Sequence, residues 1–378
     1  MDTSKTEFAT AAQPSTGRIV SIDALRGFDM FWIIGADHIM EGLGKVSNSP
    51  VAQKVSNQLK HVSWEGFVFY DLIFPLFVFL LGMGIVFSLG KIVEREGKWG
   101  AHKRVFRRFL LLFILGALYD DGFSGTTGES FFAGVLQRLS WCYLFTSLLY
   151  LHFGKKALGA ILAVILVGYW LLLSFVPAPD TGTIDLSTRD VKNIVMYVDE
   201  HYLPFKERGQ KWDPEGLLSN IPAVGTCILG LFAGWFLIDP RVTGARKALF
   251  FMGAGVALLA LGYLWGIEFP IIKRMWTSSY ILVAAGYSSL LVGLFYLVVD
   301  VWGFQKWATP FIWIGVNPLT LYLVSDIVDF HNLGDRIAGG PISWLFGNYS
   351  ELWIAAVGLF LTILLARFLY KRKIFLRV

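Results

Sequence analysis

Ionisable side chains stand where a sequence this apolar should exclude them. The run Gly27 to Leu43 carries Asp29, Asp37, His38 and Glu41; the run Phe67 to Leu89 is entered through Glu65 and contains Asp71; Phe131 to Leu151 holds Gln137 and Arg138. A charged group deep in an apolar span costs on the order of 3 kcal/mol, so it marks a functional site or a pair that locks helices together. His61, in His61-Val62-Ser63-Trp64-Glu65-Gly66, lies just ahead of the second run. Histidine exchanges protons near neutral pH, which makes His61 the candidate acid–base residue. Arg138 has two readings: it pairs with Asp71 or Asp37 inside a bundle, or it contributes to a site.

Spacing suggests a division of labour. On a helix, Arg26 and Asp37 share nearly one face and stand roughly 16 Å apart along the axis, with Asp23 and Glu41 close to that face. A cation then sits at one end and carboxylates at the other. Arg26 and the cluster Lys103-Arg104-x-x-Arg107-Arg108 could hold phosphates, although the topology of a membrane protein explains such a cluster equally well. Asp37, Glu41, Glu65 and Asp71 could attract an ammonium group, and a neutral His61 could take its proton.

The elements that must position these groups follow from composition. The chain has 378 residues, 55% of them hydrophobic and only 16% charged, with a mean hydropathy of +0.57. A soluble domain is about a quarter charged. Ten apolar runs are long enough to be read as membrane crossings: Gly27 to Leu43, Phe67 to Leu89, Val105 to Tyr119, Phe131 to Leu151, Ala157 to Val176, Leu217 to Ile238, Ala248 to Trp265, Ser279 to Val299, Thr309 to Ile327 and Leu352 to Tyr370. They lack the alternation of barrel strands. The expected fold class is all-α, a polytopic transmembrane helical bundle with both termini cytoplasmic. Lys and Arg are about twice as numerous on the side this assigns to the cytoplasm. Residues 1–17 read as a polar tail without a signal peptide, residues 18–378 as one transmembrane domain, and residues 177–216 as an exterior loop over its mouth. Cys142 and Cys227 both lie in apolar runs and offer neither a disulfide framework nor a Cys-based zinc site. With no basic stripe on a polar segment, nucleic acid is not an expected partner.

At the chemistry-bearing residues the chain resembles the heparan-α-glucosaminide N-acetyltransferase family. The likeness is carried by Arg18-Ile19-Val20-Ser21-Ile22-Asp23-Ala24-Leu25-Arg26-Gly27, His61-x-Ser63-Trp64-x-Gly66, Asp71-Leu72-Ile73-Phe74-Pro75, Gly134-Val135-Leu136-Gln137-Arg138-Leu139, Asp213-Pro214-Glu215-Gly216 and Gly315-Val316-Asn317-Pro318, in the family's order. The resemblance implies a membrane acyltransferase that moves acetyl groups from cytoplasmic acetyl-CoA to the amino group of a terminal glucosamine on the opposite side, without a metal. It places the family's catalytic His at His61, and Asp37 where the lysosomal members carry Asn. It further implies Asn317 on the donor side, beside Arg26, Arg104, Arg107 and Arg108. On the acceptor side it implies Trp64, Glu65, Asp71, Arg138 and Glu215. Lacking the large luminal domain of the lysosomal members, the chain reads as a relative in a bacterial inner membrane, with a homodimer left open.

His61 could act as general base in direct transfer, or carry the acetyl group as an acyl-imidazole. An ion- or proton-coupled transporter shares the pattern of intramembrane charge, and a sugar hydroxyl is an alternative acceptor. The topology has a direct check. A membrane-impermeant thiol reagent applied from outside should label a Cys placed at Ser187 and spare one placed at Gly97; the reverse pattern contradicts the assignment.

Overall fold

The computed structural model describes residues 19–46, 49–120, 132–188, 192–203 and 213–376. The expected polar tail and the side chain of Glu41 lie outside the described set. Among the described residues every regular element is helical: α1 (Val20–Phe31), α2 (Asp37–Val46), α3 (Pro50–Gln58), α4 (Phe69–Asp120), α5 (Val135–His152), α6 (Lys155–Phe175), α7 (Ile194–Tyr202), α8 (Asn220–Leu237), α9 (Gly244–Gly266), α10 (Ser278–Phe295), α11 (Thr309–Gly315), α12 (Pro318–Val328), α13 (Phe330–Ala338), α14 (Pro341–Trp344) and α15 (Ser350–Arg372). Six are long and apolar enough to cross a membrane: Phe69–Tyr119, Lys155–Phe175, Asn220–Leu237, Gly244–Gly266, Ser278–Val301 and Gly347–Arg372.

The difference between six such helices and ten expected runs has physical causes. The second and third runs both fall within α4, whose 52 residues are interrupted at Gly97 (φ 71°, ψ 179°), a backbone conformation that glycine alone adopts without steric cost. Leu80 and Leu112 line one cavity, yet a straight helix would hold them roughly 48 Å apart. The chain therefore folds back at Gly97, and residues 98–120 return beside 69–96. The first run is broken as well. Between α1 and α2 the segment Trp32–Ala36 widens to a π-helical turn and Gly35 leaves helical geometry altogether. Beyond this break the α1 face does not continue, so the expected common face of Arg26 and Asp37 is interrupted. The ninth run is split between α11 and α12 at Val316 and Asn317. The fourth run forms α5, whose Gln137, Arg138 and His152 leave it too polar to count among the six, and the fifth forms α6.

Helices α4, α8 and α10 form the centre, while α6 and α9 lie largely exposed at the periphery. Leu76, Phe79, Leu80 and Met83 of α4 are buried in one cluster with Cys227, Ile228 and Leu231 of α8. Without a hydrophobic force between helices in lipid, close backbone approach is what holds them together. The contact of α1 with α11 shows how close: a methyl group on Gly27 would stand 1.7 Å from the Phe311 carbonyl oxygen, and one on Gly315 would stand 1.8 Å from that of Asp23. This crossing fixes α1, with Asp23 and Arg26, against the Gly315–Asn317 corner.

Candidate active site

The site grows from Asp71, in the first turn of α4, whose side chain is 1% exposed. A carboxylate in that position needs partners. The backbone N–H of Val68 donates to its Oδ2 at 3.3 Å. The ring Nδ1 of His61 lies 2.7 Å from its Oδ1, and Lys273 Nζ lies 3.4 Å from the same oxygen. The Tyr280 hydroxyl donates to the Asp71 carbonyl at 2.8 Å, tying the start of α4 to α10. With Nδ1–H donated to Asp71, the His61 ring presents Nε2 as its basic atom.

The loop that carries His61 is docked from two directions. Gly66 N–H donates to the Ile271 carbonyl at 2.9 Å, joining this loop to the one bearing Lys273. The buried Trp64 indole N–H donates to the Leu186 carbonyl at 2.7 Å, joining it to the segment between α6 and α7. On its other side the half-exposed His61 ring stands 4.8 Å from that of Tyr70, whose hydroxyl donates to Asp37 Oδ2 at 3.0 Å. Asp37 also holds His38 Nδ1 at 2.9 Å.

A cavity of about 710 Å³ opens from this cluster into the bundle. His61, Lys273 and Glu215 line one end, and Arg26, Arg108 and Asn317 line it further along. One face of α4 runs the whole way, with Tyr70, Phe74, Phe77, Leu81 and Ser88 all on the wall. That face is roughly 27 Å long. The Arg26 guanidinium lies against Gly84, thirteen residues or roughly 20 Å along α4 from Asp71. The Arg108 guanidinium stacks on Tyr143 at 4.5 Å, and its buried Nε has no hydrogen-bond partner among the described residues. Asn317 is 2% exposed and donates to the Ile374 carbonyl at 2.7 Å, while its Oδ1 has no partner among the described residues. The cavity thus joins an acid–base pair to a cationic end through a largely apolar passage.

Beside the His61 end sits a second buried charge cluster. Arg138 is 1% exposed, but among the described residues it makes no ion pair within 4 Å, so the expected pairing with Asp71 or Asp37 is not formed. Its guanidinium donates to Asn220 Oδ1 at 3.1 Å, to the Pro214 carbonyl at 3.0 Å and to Ser219 Oγ, and it stacks on Trp276 at 4.7 Å. Arg138 is therefore spent on holding the Asp213–Ser219 corner, which in turn presents Glu215 to the cavity. Burial pushes the Glu215 carboxyl up, opposed chiefly by the Arg138 charge. Asp199 on α7 is fully buried above the same corner, and accepts the Leu217 N–H at 2.9 Å. Burial pushes its carboxyl up to about 7.

The sequence-predicted residues therefore divide. His61, Arg26, Arg108, Asn317 and Glu215 line the cavity and Asp71 holds His61; Asp37 reaches the site through Tyr70. Glu65, Arg104 and Arg107 are exposed and do not line it, and Arg104 lies 3.8 Å from Glu96. Trp64 lies in the core beneath Leu186 and α7, so its contact with the site is through the loop it anchors. Lys273 and Tyr70 were missed. Lys273 had no signal beyond one charge in a loop, 212 residues from His61; Tyr70 stands directly before Asp71 and could have been read as facing the same cluster.

A family model described as heparan-alpha-glucosaminide N-acetyltransferase, catalytic, matches residues 18–206. The chain is 26% identical over 419 aligned residues to heparan-alpha-glucosaminide N-acetyltransferase of Homo sapiens, covering 96% of this chain and 60% of that protein. It is 25% identical over 433 aligned residues to the Mus musculus protein of the same name, covering 96% and 61%. The chain thus spans about three fifths of the length of these curated relatives.

Asp199 yields a test of the cap. Its folded carboxyl keeps its proton to about 7, whereas an unfolded Asp releases it near 4. Stability is therefore lost as pH rises from about 4 through about 7 and is level above, by a few kcal/mol at most. Asp199→Asn, whose carbonyl can still accept the Leu217 N–H, should raise the unfolding temperature more at pH 8 than at pH 5. Equal increments at both values would contradict this.

With its motifs joined in one cavity and the family match extending over half its length, the chain belongs to the heparan-alpha-glucosaminide N-acetyltransferase catalytic family.

Proposed function

We propose that the protein is a transmembrane N-acetyltransferase, taking the acetyl group of acetyl-CoA on the cytoplasmic side and delivering it to the amino group of a glucosamine-type sugar on the other. The observation that carries this reading is the single cavity that links Arg26 and Arg108 to the His61–Asp71 pair along one face of α4. An acetyl-CoA donor needs cations for its phosphates, polar atoms for its amide groups and a narrow apolar course for its arm. Arg26 and Arg108 suit the first. The Oδ1 of Asn317 and the Nε of Arg108, both without a partner among the described residues, suit an amide N–H and an anion respectively. The relatives' printed name supports the amino-sugar acceptor.

In this reading the chain crosses the membrane ten times with both termini cytoplasmic, the first and ninth crossings being the broken helices α1–α2 and α11–α12. The Gly97 turn then lies on the cytoplasmic side and the Asp199 cap outside. Asp71 holds the Nδ1–H of His61, so Nε2 faces the reaction. His61 removes a proton from the acceptor ammonium, and the resulting amine attacks the thioester directly. Glu215 and Asp37 supply negative charge for an incoming ammonium.

The test is transfer of label from radioactive acetyl-CoA to glucosamine by the purified protein in vesicles. His61→Ala should lower the rate by a factor on the order of 10² to 10⁴, with acetyl-CoA binding retained. Near-normal transfer by that variant would exclude His61 as the base. Acetylated His61, trapped without acceptor, would replace direct attack by the covalent route. Label crossing the vesicle membrane without joining an acceptor would favour a transporter.

A further inference from the structure

Attack of an amine on a thioester carbonyl carries negative charge onto the carbonyl oxygen, and a positioned donor for that oxygen is worth about 10²–10³ in rate. Most polar side chains around His61 are committed elsewhere. The Arg138 guanidinium serves Asn220, Pro214 and Ser219, and the Tyr70 hydroxyl donates to Asp37. Arg26 stands roughly 20 Å away along α4. Lys273 differs. It lines the same cavity, and its Nζ lies 3.1 Å from His61 Nδ1, 3.4 Å from Nε2 and 3.4 Å from Asp71 Oδ1.

The contact with Nδ1 is not a hydrogen bond to that atom, since Nδ1 already gives its proton to Asp71. An ammonium has three N–H donors. With one directed at Asp71, others remain for the space beside Nε2, where an acceptor amine and a thioester would have to meet. The loop that supplies Lys273 is held firmly. Ile272 N–H donates to Thr277 Oγ1 at 3.1 Å, Thr277 Oγ1 donates to the Pro270 carbonyl at 2.9 Å, and Trp276 N–H donates to the Lys273 carbonyl at 2.9 Å. Trp276 itself takes φ 54°, a conformation that bulky side chains avoid, and is 1% exposed under the Arg138 guanidinium. Backbone strain retained in a buried turn beside reactive groups is the pattern of a position held for function. Burial pulls the Lys273 ammonium below its ordinary range, against the charges of Asp71 and Glu215, and a more acidic ammonium is a stronger donor.

We propose that Lys273 is a catalytic residue whose ammonium donates to the thioester carbonyl oxygen as it becomes an oxyanion, an inference that rests on the acetyl-transfer reading above. The amine nitrogen bonds to the carbonyl carbon and the π pair moves to oxygen, where Lys273 holds it. The pair then returns, the C–S bond breaks, and the thiolate takes the proton that His61 removed from the ammonium; the second proton, shed by the nitrogen as it becomes an amide, passes to His61 and on to water. The products are an N-acetylated sugar and free CoA thiol, and Lys273 ends with all its protons.

Lys273→Met and Lys273→Arg, purified in lipid nanodiscs, test this against acetyl-CoA and glucosamine. Lys273→Met should lower kcat by about 10²–10³ with little change in either KM, and Lys273→Arg should recover part of the loss. Infrared difference spectra of bound acetyl-CoA, with and without ¹³C at the carbonyl, read the contact itself. The carbonyl band should lie lower than in free acetyl-CoA for the wild type and for Lys273→Arg, and at the free position for Lys273→Met. An unchanged kcat, or an unchanged carbonyl band, in Lys273→Met would overturn the proposal while leaving the transferase reading intact. Acetylated Lys273 formed without acceptor would also overturn it, by making the side chain a nucleophile. A wild-type protein that transfers no acetyl group would remove the transferase reading, and this inference with it.

Discussion

A carboxylate buried at the head of a long apolar helix cannot be left alone, and the arrangement around Asp71 follows from that constraint. Its oxygens draw in the Val68 N–H, the His61 ring and the Lys273 ammonium, while Tyr280 fixes the adjoining backbone. Breaking such a group's pairing costs several kcal/mol because the remaining charge stays buried. Three loops and helices far apart in sequence are thereby brought to one point. The same contacts orient His61, so the electrostatic satisfaction of Asp71 and the orientation of the imidazole are one interaction. The Gly66–Ile271 and Trp64–Leu186 bonds relieve Asp71 of holding the loop by itself.

What lies below this point is decided by helix breaks. A straight α4 could not line one cavity with both halves; the turn at Gly97 lets residues 98–120 bring Arg108 back to the wall that Leu80 and Gly84 already form. The corner between α11 and α12 places Asn317 on the same wall, and the close crossing of α1 with α11 sets Arg26 beside it. Non-helical backbone is tolerated at membrane depth where it is buried or lines a cavity, and Asn317 meets that condition. The charged cluster at Arg138 does separate work: it stabilises the corner from which Glu215 looks into the cavity.

Much of this was legible in the sequence. Apolar run length was enough to indicate an all-helical bundle, and His61 with Asp71 stood out because charge so close to an apolar run needs a reason. Arg26, Arg108 and Asn317, which the sequence reading grouped together, line one cavity. Periodicity failed where helices were broken: the Arg26–Asp37 face assumed continuous helix through Gly35, and run counting could not show that two runs shared α4. Charge counting failed for Arg138, whose partners are a carbonyl, a hydroxyl and an amide with no charge to advertise them. Lys273 was illegible because its place beside His61 depends on a loop conformation, including the left-handed Trp276, that no residue pattern announces. Arg104 and Arg107 shared a cluster with Arg108, but helical rotation turns only the last toward the cavity.

The claim on which the rest depends is that one cavity spans from the Arg26 and Arg108 end to the His61–Asp71 pair. The most direct measurement is a structure with a ketone analogue of acetyl-CoA, in which a methylene group prevents transfer. The expected density has the nucleotide phosphates at Arg26 and Arg108, the arm along the Phe77–Leu81 face of α4, and the carbonyl between His61 and Lys273. Density with the nucleotide at the His61 end, or with the acyl group outside the cavity, would contradict it.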